Sequence, residues 1–330
     1  TMPIAAWGLK GNTGSATDFI GTTNDQDVVF KRNNIRSGSL AGTNTSFGQH
    51  SLESNSSSNG NSAFGLRALQ NNTVGNNNTA IGTMALQRSI NNIDNVAVGL
   101  AALGRLEKGN YNVALGSNAL FLNKAGNYNI AIGYMAGDEL FMQDNQDAFN
   151  IVIGSKAGKG LVQGIKNTIL GSNIIGLPAN LSNSIIIGEG AKTSVNNSIR
   201  LGNTSISSFT GQVAYSFASD KRYKTDIKTI PLGLDFINKL NPVEYIRKNN
   251  TSNTKEWGFI AQELQQTLQE ENYKDAGIVQ DDGSADKMLS VRYTDLIAPM
   301  VKAMQELTEH NEFLNNRINQ LEAKLEKLSK

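Results

Sequence analysis

Between residues 44 and 203 the apolar and polar positions repeat one short pattern: an asparagine, three or four mostly small or apolar residues, and a glycine. The pentads are NTSFG ending at Gly48, NSAFG at Gly65, NTAIG at Gly82, NVAVG at Gly99, NVALG at Gly116, NIAIG at Gly133, NIVIG at Gly154 and NTILG at Gly171. Looser copies, NSIIIG and NSIRLG, end at Gly188 and Gly202. Successive glycines are 17 residues apart, except for a spacing of 21 between Gly133 and Gly154 and a last one of 14. A fixed period of this length predicts a solenoid, in which each unit stacks on its neighbours. The position before the glycine is bulky (Phe64, Ile81, Val98, Leu115, Ile132) and the one before that is small (Ala63, Ala80, Ala97, Ala114, Ala131), so a strand here presents large apolar groups on one face and methyls on the other. Four residues after the glycine stands a second apolar anchor, Leu52, Leu69, Leu86, Leu103 or Leu120. Glycine suits a turn with φ > 0 or a close backbone approach, and asparagine suits corners through its local hydrogen bonds.

Seventeen residues hold too little apolar surface to enclose a core, so stacking must do it, and two apolar faces invite contact with further chains. A monomeric left-handed β-helix would want an apolar-glycine step about every six residues; here it comes once per 17. The repeats also lack the spaced aspartates of a calcium-binding roll. The pentads resemble the head repeats of trimeric autotransporter adhesins and of phage tail fibres. The resemblance implies a trimeric β-roll or β-solenoid, with ten units forming a rod of roughly 50 Å.

Residues 1–40 lack the pentad. Trp7-Gly8-Leu9, Gly11-Asn12, Phe19-Ile20-Gly21 and the extended Val28-Val29-Phe30 predict short β-structure that caps or precedes the array. The array takes in residues 41–210, and after Gly211 the pattern changes. Gln212-Val213-Ala214-Tyr215-Ser216-Phe217-Ala218 alternates as a strand does and leads into Ser219-Asp220-Lys221-Arg222-Tyr223-Lys224. Residues 211–296 are charged and mixed in pattern, which reads as a small α+β domain. From Ile297 a heptad runs to the end: Ile297, Met304, Asn311, Ile318 and Leu325 at one core position, Met300, Leu307, Leu314, Leu321 and Leu328 at the other. Residues 297–330 are thus expected to form a coiled coil, with Asn311 fixing its register.

A serine five residues before a lysine can be a nucleophile and its base, because a lysine takes a hydroxyl proton once desolvation lowers its pKa. From spacing alone, SDKRYK reads better as a solvated turn. Four segments decide otherwise: SDKRYKTDI from Ser219, Leu240-Asn241-Pro242-Val243-Glu244-Tyr245, Gly258-Phe259-Ile260-Ala261-Gln262-Glu263, and Val291-Arg292-Tyr293 through Ala303-Met304-Gln305-Glu306-Leu307. In this order they resemble the intramolecular chaperone domain of endosialidase-type phage tail proteins, found also in myelin regulatory factor. The resemblance implies that the domain drives trimerisation and then cuts itself off at Ala218-Ser219, with Ser219 the nucleophile and Lys224 its general base. Asp220 and Arg222 are then supporting residues, read as an ion pair that shapes the loop. An asparagine at the first heptad position suits dimers; the trimer comes from the two resemblances and is preferred here.

Composition narrows the partners. A net charge of +1 over 330 residues offers no basic surface for nucleic acid, and no apolar run approaches a membrane span. No signal-peptide pattern opens the sequence. There is no cysteine, and His50 and His310 stand far apart, so neither a metal nor a cofactor is expected. A homotrimeric tail fibre of a virion is the leading expectation, binding a host cell-surface glycan or protein receptor. A bacterial surface adhesin is the alternative, though it would need secretion and anchoring signals that the sequence does not display. A glycan-degrading tailspike ranks third, because it needs paired carboxylates and the array shows only scattered acids such as Glu53, Asp94, Glu107 and Glu189. Tyr111 and Tyr128, one repeat apart, predict a stacked ladder. The long spacing after Gly133 holds an insertion whose Asp138, Glu139, Phe141 and Asp144 are the expected receptor contacts.

Overall fold

The computed structural model describes residues 20–142, 144, 146–214, 216–248, 253–273, 276–281 and 287–329. Trp7-Gly8-Leu9, Gly11-Asn12 and Phe19 lie outside the described residues, as do Gln143 and Tyr215. Two compact units emerge: one takes the described residues up to Lys192 with Asn196–Leu201, the other Thr193–Val195 with Gly202 onward.

The first unit is a β-solenoid of about nine turns. It opens with antiparallel strands β1 (Val28–Arg32), β2 (Ile35–Ala41) and β3 (Asn44–Phe47). From β3 the pairing becomes parallel through β4 (Ser62–Phe64), β5 (Thr79–Ile81), β6 (Val96–Val98), β7 (Val113–Leu115), β9 (Ile130–Ile132), β11 (Ile151–Ile153), β12 (Thr168–Leu170), β13 (Ile185–Ile187) and β14 (Ile199–Leu201). Register follows the sequence period: Ala80 lies on Ala97, Ala97 on Ala114, and Ala114 on Ala131. The insertion adds a short parallel pair, β8 (Gly126–Asn127) with β10 (Gln146–Asp147).

The methyl face points inward. Ala63, Ala80, Ala97, Ala114 and Ala131 are fully buried, and so are the leucine anchors Leu69, Leu86, Leu103 and Leu120 that close the core from the opposite wall. The turn is so thin that one wall carries methyls where the other carries leucines. Where the leucine position becomes Gly158, the strand supplies Val152 instead, and a Cβ on Gly158 would lie 3.0 Å from Val152 Cγ1. The two walls therefore trade volume, as close packing requires. The bulky residues before the glycines face out: Phe64, Ile81 (43 % exposed) and Ile132, with half-buried Val98 and Leu115 in register between the last two, form an apolar stripe on the solenoid surface.

Asparagine does something other than make corners. Asn61, Asn78, Asn95, Asn112, Asn129, Asn150 and Asn167 are buried in one column, and each bonds between turns, Asn61 and Asn95 adding a local bond to Ser58 Oγ and to the Ile93 carbonyl. The Asn95 side-chain oxygen accepts from the Asn112 amide N–H (3.0 Å) and from the Asn112 side-chain amide (3.1 Å), while its own amide donates to Asn78 Oδ1 (3.1 Å) and to the Gly109 carbonyl (3.0 Å). A buried amide is costly unless all its groups are paired; stacking at 17 residues pairs them. At Gly99 the backbone has φ 130°, and a Cβ there would lie 2.6 Å from the carbonyl carbon and oxygen of Gly116. Glycine is required by that approach. Left-handed backbone is not confined to glycine: Ala101 (φ 53°) and Leu103 (φ 50°) adopt it, as do their counterparts Met84 and Leu86. Each such residue costs about 1 kcal/mol, so an unstacked turn is strained.

The second unit holds α1 (Leu234–Lys239), the antiparallel pair β15 (Val243–Tyr245) and β16 (Glu256–Gly258), α2 (Ala261–Glu270), the pair β17 (Val279–Asp281) and β18 (Leu289–Val291), and α3 (Ile297–Leu328). Its core is Leu232, Phe236, Leu264, Leu268, Ile278 and Leu296. The stretch Trp257–Glu263 runs from strand β16 into helix α2, and the Phe259 N–H donates to the Tyr293 hydroxyl (3.1 Å). The first turns of α3 pack on α1 with Pro299 and Ala303 buried, and Glu306 accepts from the Leu234 N–H (2.7 Å), satisfying a donor that the helix end leaves open. The opposite stripe of α3, Ile297, Met300, Met304, Leu307, Leu314, Ile318, Leu321, Leu325 and Leu328, is exposed.

One expected element does not form. Residues 212–218 were expected as a strand from their alternation; the described residues of this segment are irregular and exposed, and pair with no strand. Alternation alone does not make a strand without an edge to bond to.

Candidate active site

Ser219 sits where this exposed segment meets a single 3₁₀ turn, Lys221–Tyr223. Asp220 caps the turn, its side chain accepting from the Arg222 N–H (2.8 Å), and the Lys224 N–H donates to the Lys221 carbonyl (3.1 Å). Asparagine and aspartate side chains favour this local bonding. The turn folds residue 224 back towards 219, and Lys224 Nζ donates to Ser219 Oγ at 2.6 Å. Asp220 and Arg222 turn to each other, with Arg222 Nη2 2.7 Å from Asp220 Oδ2. That contact holds the Asp220 carboxyl below its ordinary range and lifts the guanidinium above its own. They fix the turn and leave Ser219 and Lys224 to one another.

Ser219 and Lys224 line an open cleft of about 980 Å³. Its wall is mostly apolar, with Leu232, Phe236, Leu268, Ile278 and Pro299, and its polar rim includes Asn272, Arg292 and Asp295. Arg292 is held by Asp295 at 3.0 Å. Both Ser219 and Lys224 are exposed in the single chain. The cleft was not legible in the sequence, because its wall comes from α1, α2, the segment before β17 and the start of α3.

The insertion is partly internal. Leu140 and Met142 are buried in the solenoid core. Glu139 accepts from the Gly160 N–H (2.9 Å), and Phe141 lies beneath Lys124, whose Nζ is 5.4 Å from the ring centre. Asp138 is half-buried with Oδ1 unpartnered; burial, then the neighbouring Glu139, raises its pKa. Asp144 is exposed. The tyrosines stack as a ladder: Tyr111 and Tyr128 ring centres are 4.9 Å apart, and Phe149 extends the column at 5.0 Å. Phe149 was missed in the sequence because the 21-residue spacing hides that it, too, stands five residues before its glycine. The scattered acids have separate partners: Glu53 bonds His50 and Gln70, Glu107 lies 3.9 Å from both Arg88 and Lys124, and Glu189 is near Asn173. Among the described residues no cluster of three metal-ligating side chains occurs, and no helix is long and apolar enough to cross a membrane.

Residues 219–273 match the family described as chaperone of endosialidase, a family of self-cleaving intramolecular chaperones. The match begins at Ser219 and runs through α1, β15, β16 and α2. No curated protein and no solved structure matches the chain.

Proposed function

We propose that this chain is a homotrimeric tail-fibre protein of a phage, whose C-terminal module gathers three chains and then severs itself at Ala218-Ser219. The observation that carries the reading is the 2.6 Å contact between Lys224 Nζ and Ser219 Oγ, at the residue where the family match begins. With its amine neutral, Lys224 takes the Ser219 hydroxyl proton as Oγ attacks the Ala218 carbonyl carbon. The C–N bond then breaks, the Ser219 nitrogen takes that proton, and an ester joins Ala218 to Oγ. Water hydrolyses the ester, leaving a carboxylate on Ala218 and restoring the serine.

A lysine acts as a base only where water is excluded, and both side chains are exposed in one chain. Neighbouring chains supply the cover, which ties cutting to assembly. Two apolar surfaces support the trimer: the solenoid stripe of Phe64, Ile81 and Ile132, and the α3 stripe in which Met304 is 68 % exposed. The helices join as a coiled coil around the second stripe, raise the local concentration of the repeats and set their register, because in-register β pairing is slow by itself. Removing the module afterwards leaves the fibre kinetically trapped. Asp144 and the exposed rim of the insertion offer the contact to a host cell-surface glycan or protein.

Intact mass of the freshly made protein tests this reading, with Ser219→Ala and Lys224→Met beside wild type. Wild type should give a new amino terminus at Ser219, both variants should stay full length, and the uncut variants should be trimers by native mass. An uncut wild type sinks the cleavage; a monomeric or dimeric Ser219→Ala protein sinks the trimer.

A further inference from the structure

We propose that Phe217 is the specificity-determining anchor of the self-cleavage: its ring enters the apolar end of the Ser219 cleft and holds the Ala218 carbonyl against the serine hydroxyl. This rests on the cleavage reading above and adds to it the group that places the scissile bond. The segment before Ser219 carries apolar residues at alternate positions, and the chain leaves them unpacked: Val213 is 82 % and Phe217 73 % exposed. An irregular segment with no β partner gains nothing from that alternation in the solenoid fold. Immediately beyond it, Ser219 and Lys224 border a cleft walled by Phe236, Leu268, Ile278 and Pro299. Two residues span at most about 7 Å of extended chain, so Phe217 stays close to the cleft that Ser219 itself lines. Its volume of about 980 Å³ accommodates a phenyl ring with room to spare. Val213 is too far along the chain to act in the same way, and the Ala218 methyl is too small to anchor anything.

The chemistry needs such an anchor. An exposed segment outside any strand or helix does not by itself hold its carbonyl against Oγ, and a positioned carbonyl reacts orders of magnitude faster than a free one. Burying one aromatic ring in an apolar wall supplies the positioning and also displaces water from beside Lys224.

The test uses the full chain made in a cell-free system, following the fragment that begins at Ser219 over time while native mass reports trimer. Phe217→Ala should cleave roughly ten- to hundredfold more slowly than wild type, Phe217→Leu should stay within about threefold because the anchor is apolar rather than aromatic, and Phe217→Asp should be slowest. All three should form trimer as wild type does, since the Phe217 side chain is largely exposed in the chain. Wild-type speed in Phe217→Ala or Phe217→Asp overturns the proposal, as does Phe217→Leu cutting as slowly as Phe217→Asp. Loss of trimer in Phe217→Ala also overturns it, by making the residue one of assembly. A wild type that never cuts refutes the underlying cleavage instead, and so is told apart from a failed anchor.

Discussion

The two units are held together in opposite ways. In the solenoid most turns repeat the same bonds, so its buried asparagines, inward alanines and opposed leucines form one column with few independent parts. In the C-terminal unit six core side chains and a few single contacts, such as Glu306 to the end of α1, hold elements that otherwise face solvent. A repeat stabilises through its neighbours; a small α+β domain depends on particular ties. Damage should therefore spread along the first and stay local in the second.

The largest expected effect is Gly99→Ala. The new Cβ would meet backbone on the next turn at 2.6 Å, at a φ that alanine avoids, and neither side has a flexible end that could yield. A loss above about 4 kcal/mol is expected, read as a fall in the denaturation midpoint of the full chain and as faster amide exchange on both sides of residue 99. A midpoint near wild type would show that the stacking is looser than these distances. Next comes Asn95→Ala. It strands the Asn112 amides and the Gly109 carbonyl, each buried and each worth about 1 to 3 kcal/mol unpaired. The net loss should be about 3 kcal/mol, and exchange of the Asn112 amide should rise by roughly a hundredfold or more, while amides in α1 and α2 keep their rates. Change confined to one turn would contradict the spread expected of a column.

How far the sequence went differs between the units for the same physical reason. The period, the strand faces, the leucine anchors and the tyrosine ladder were legible, because a repeat states the same constraint in turn after turn and a chance pattern cannot. The direction of the faces was not legible: methyls inward and bulky groups outward inverts the usual rule, and only the thinness of the turn explains it. Nor was the role of asparagine, since local turn chemistry and a ladder between turns use the same residue. The left-handed backbone at Leu103 leaves no mark, because leucine is a residue that avoids it. In the C-terminal unit, Ser219 and Lys224 were singled out through the family resemblance, not through their spacing. Their cleft was not, since its wall is assembled from elements far apart in the chain, from Leu232 to Pro299, and neither was the failure of 212–218 to form a strand, which depends on an absent edge.

A smaller effect, confined to the second unit, should follow acidification. The Leu234 N–H, which donates to Glu306, is the main cause that holds this carboxyl below its ordinary range, with Lys302 adding to it. A depressed folded pKa means that the contact stabilises fully above the unfolded carboxylate value, roughly 4.3, and that this contribution is lost as pH falls through the lower folded value. Glu306→Gln should thus lower the Tm of the C-terminal transition at neutral pH, with the difference closing in acid. Solenoid amides should be unaffected. A difference that persists unchanged in acid would assign Glu306 to packing rather than to charge.

The smallest expected effect has the opposite sign and tests the solenoid at its longest spacing. Asp138 is half-buried with an unpartnered oxygen, and burial pushes its pKa up, the adjacent Glu139 adding to the shift. A folded pKa above the unfolded value, roughly 3.9, means that ionisation costs stability: the cost is fully present above the folded value and vanishes below the unfolded one. Asp138→Asn should therefore stabilise the solenoid at pH 7 by roughly half a kcal/mol, a figure kept low because solvent screens a partly exposed carboxylate. The gain should disappear as the wild-type carboxyl is protonated. If the substitution instead destabilises the assembled protein at neutral pH while leaving the isolated chain unharmed, then the charge serves a contact between chains, and the irregular turn is part of the assembly surface rather than a tolerated interruption.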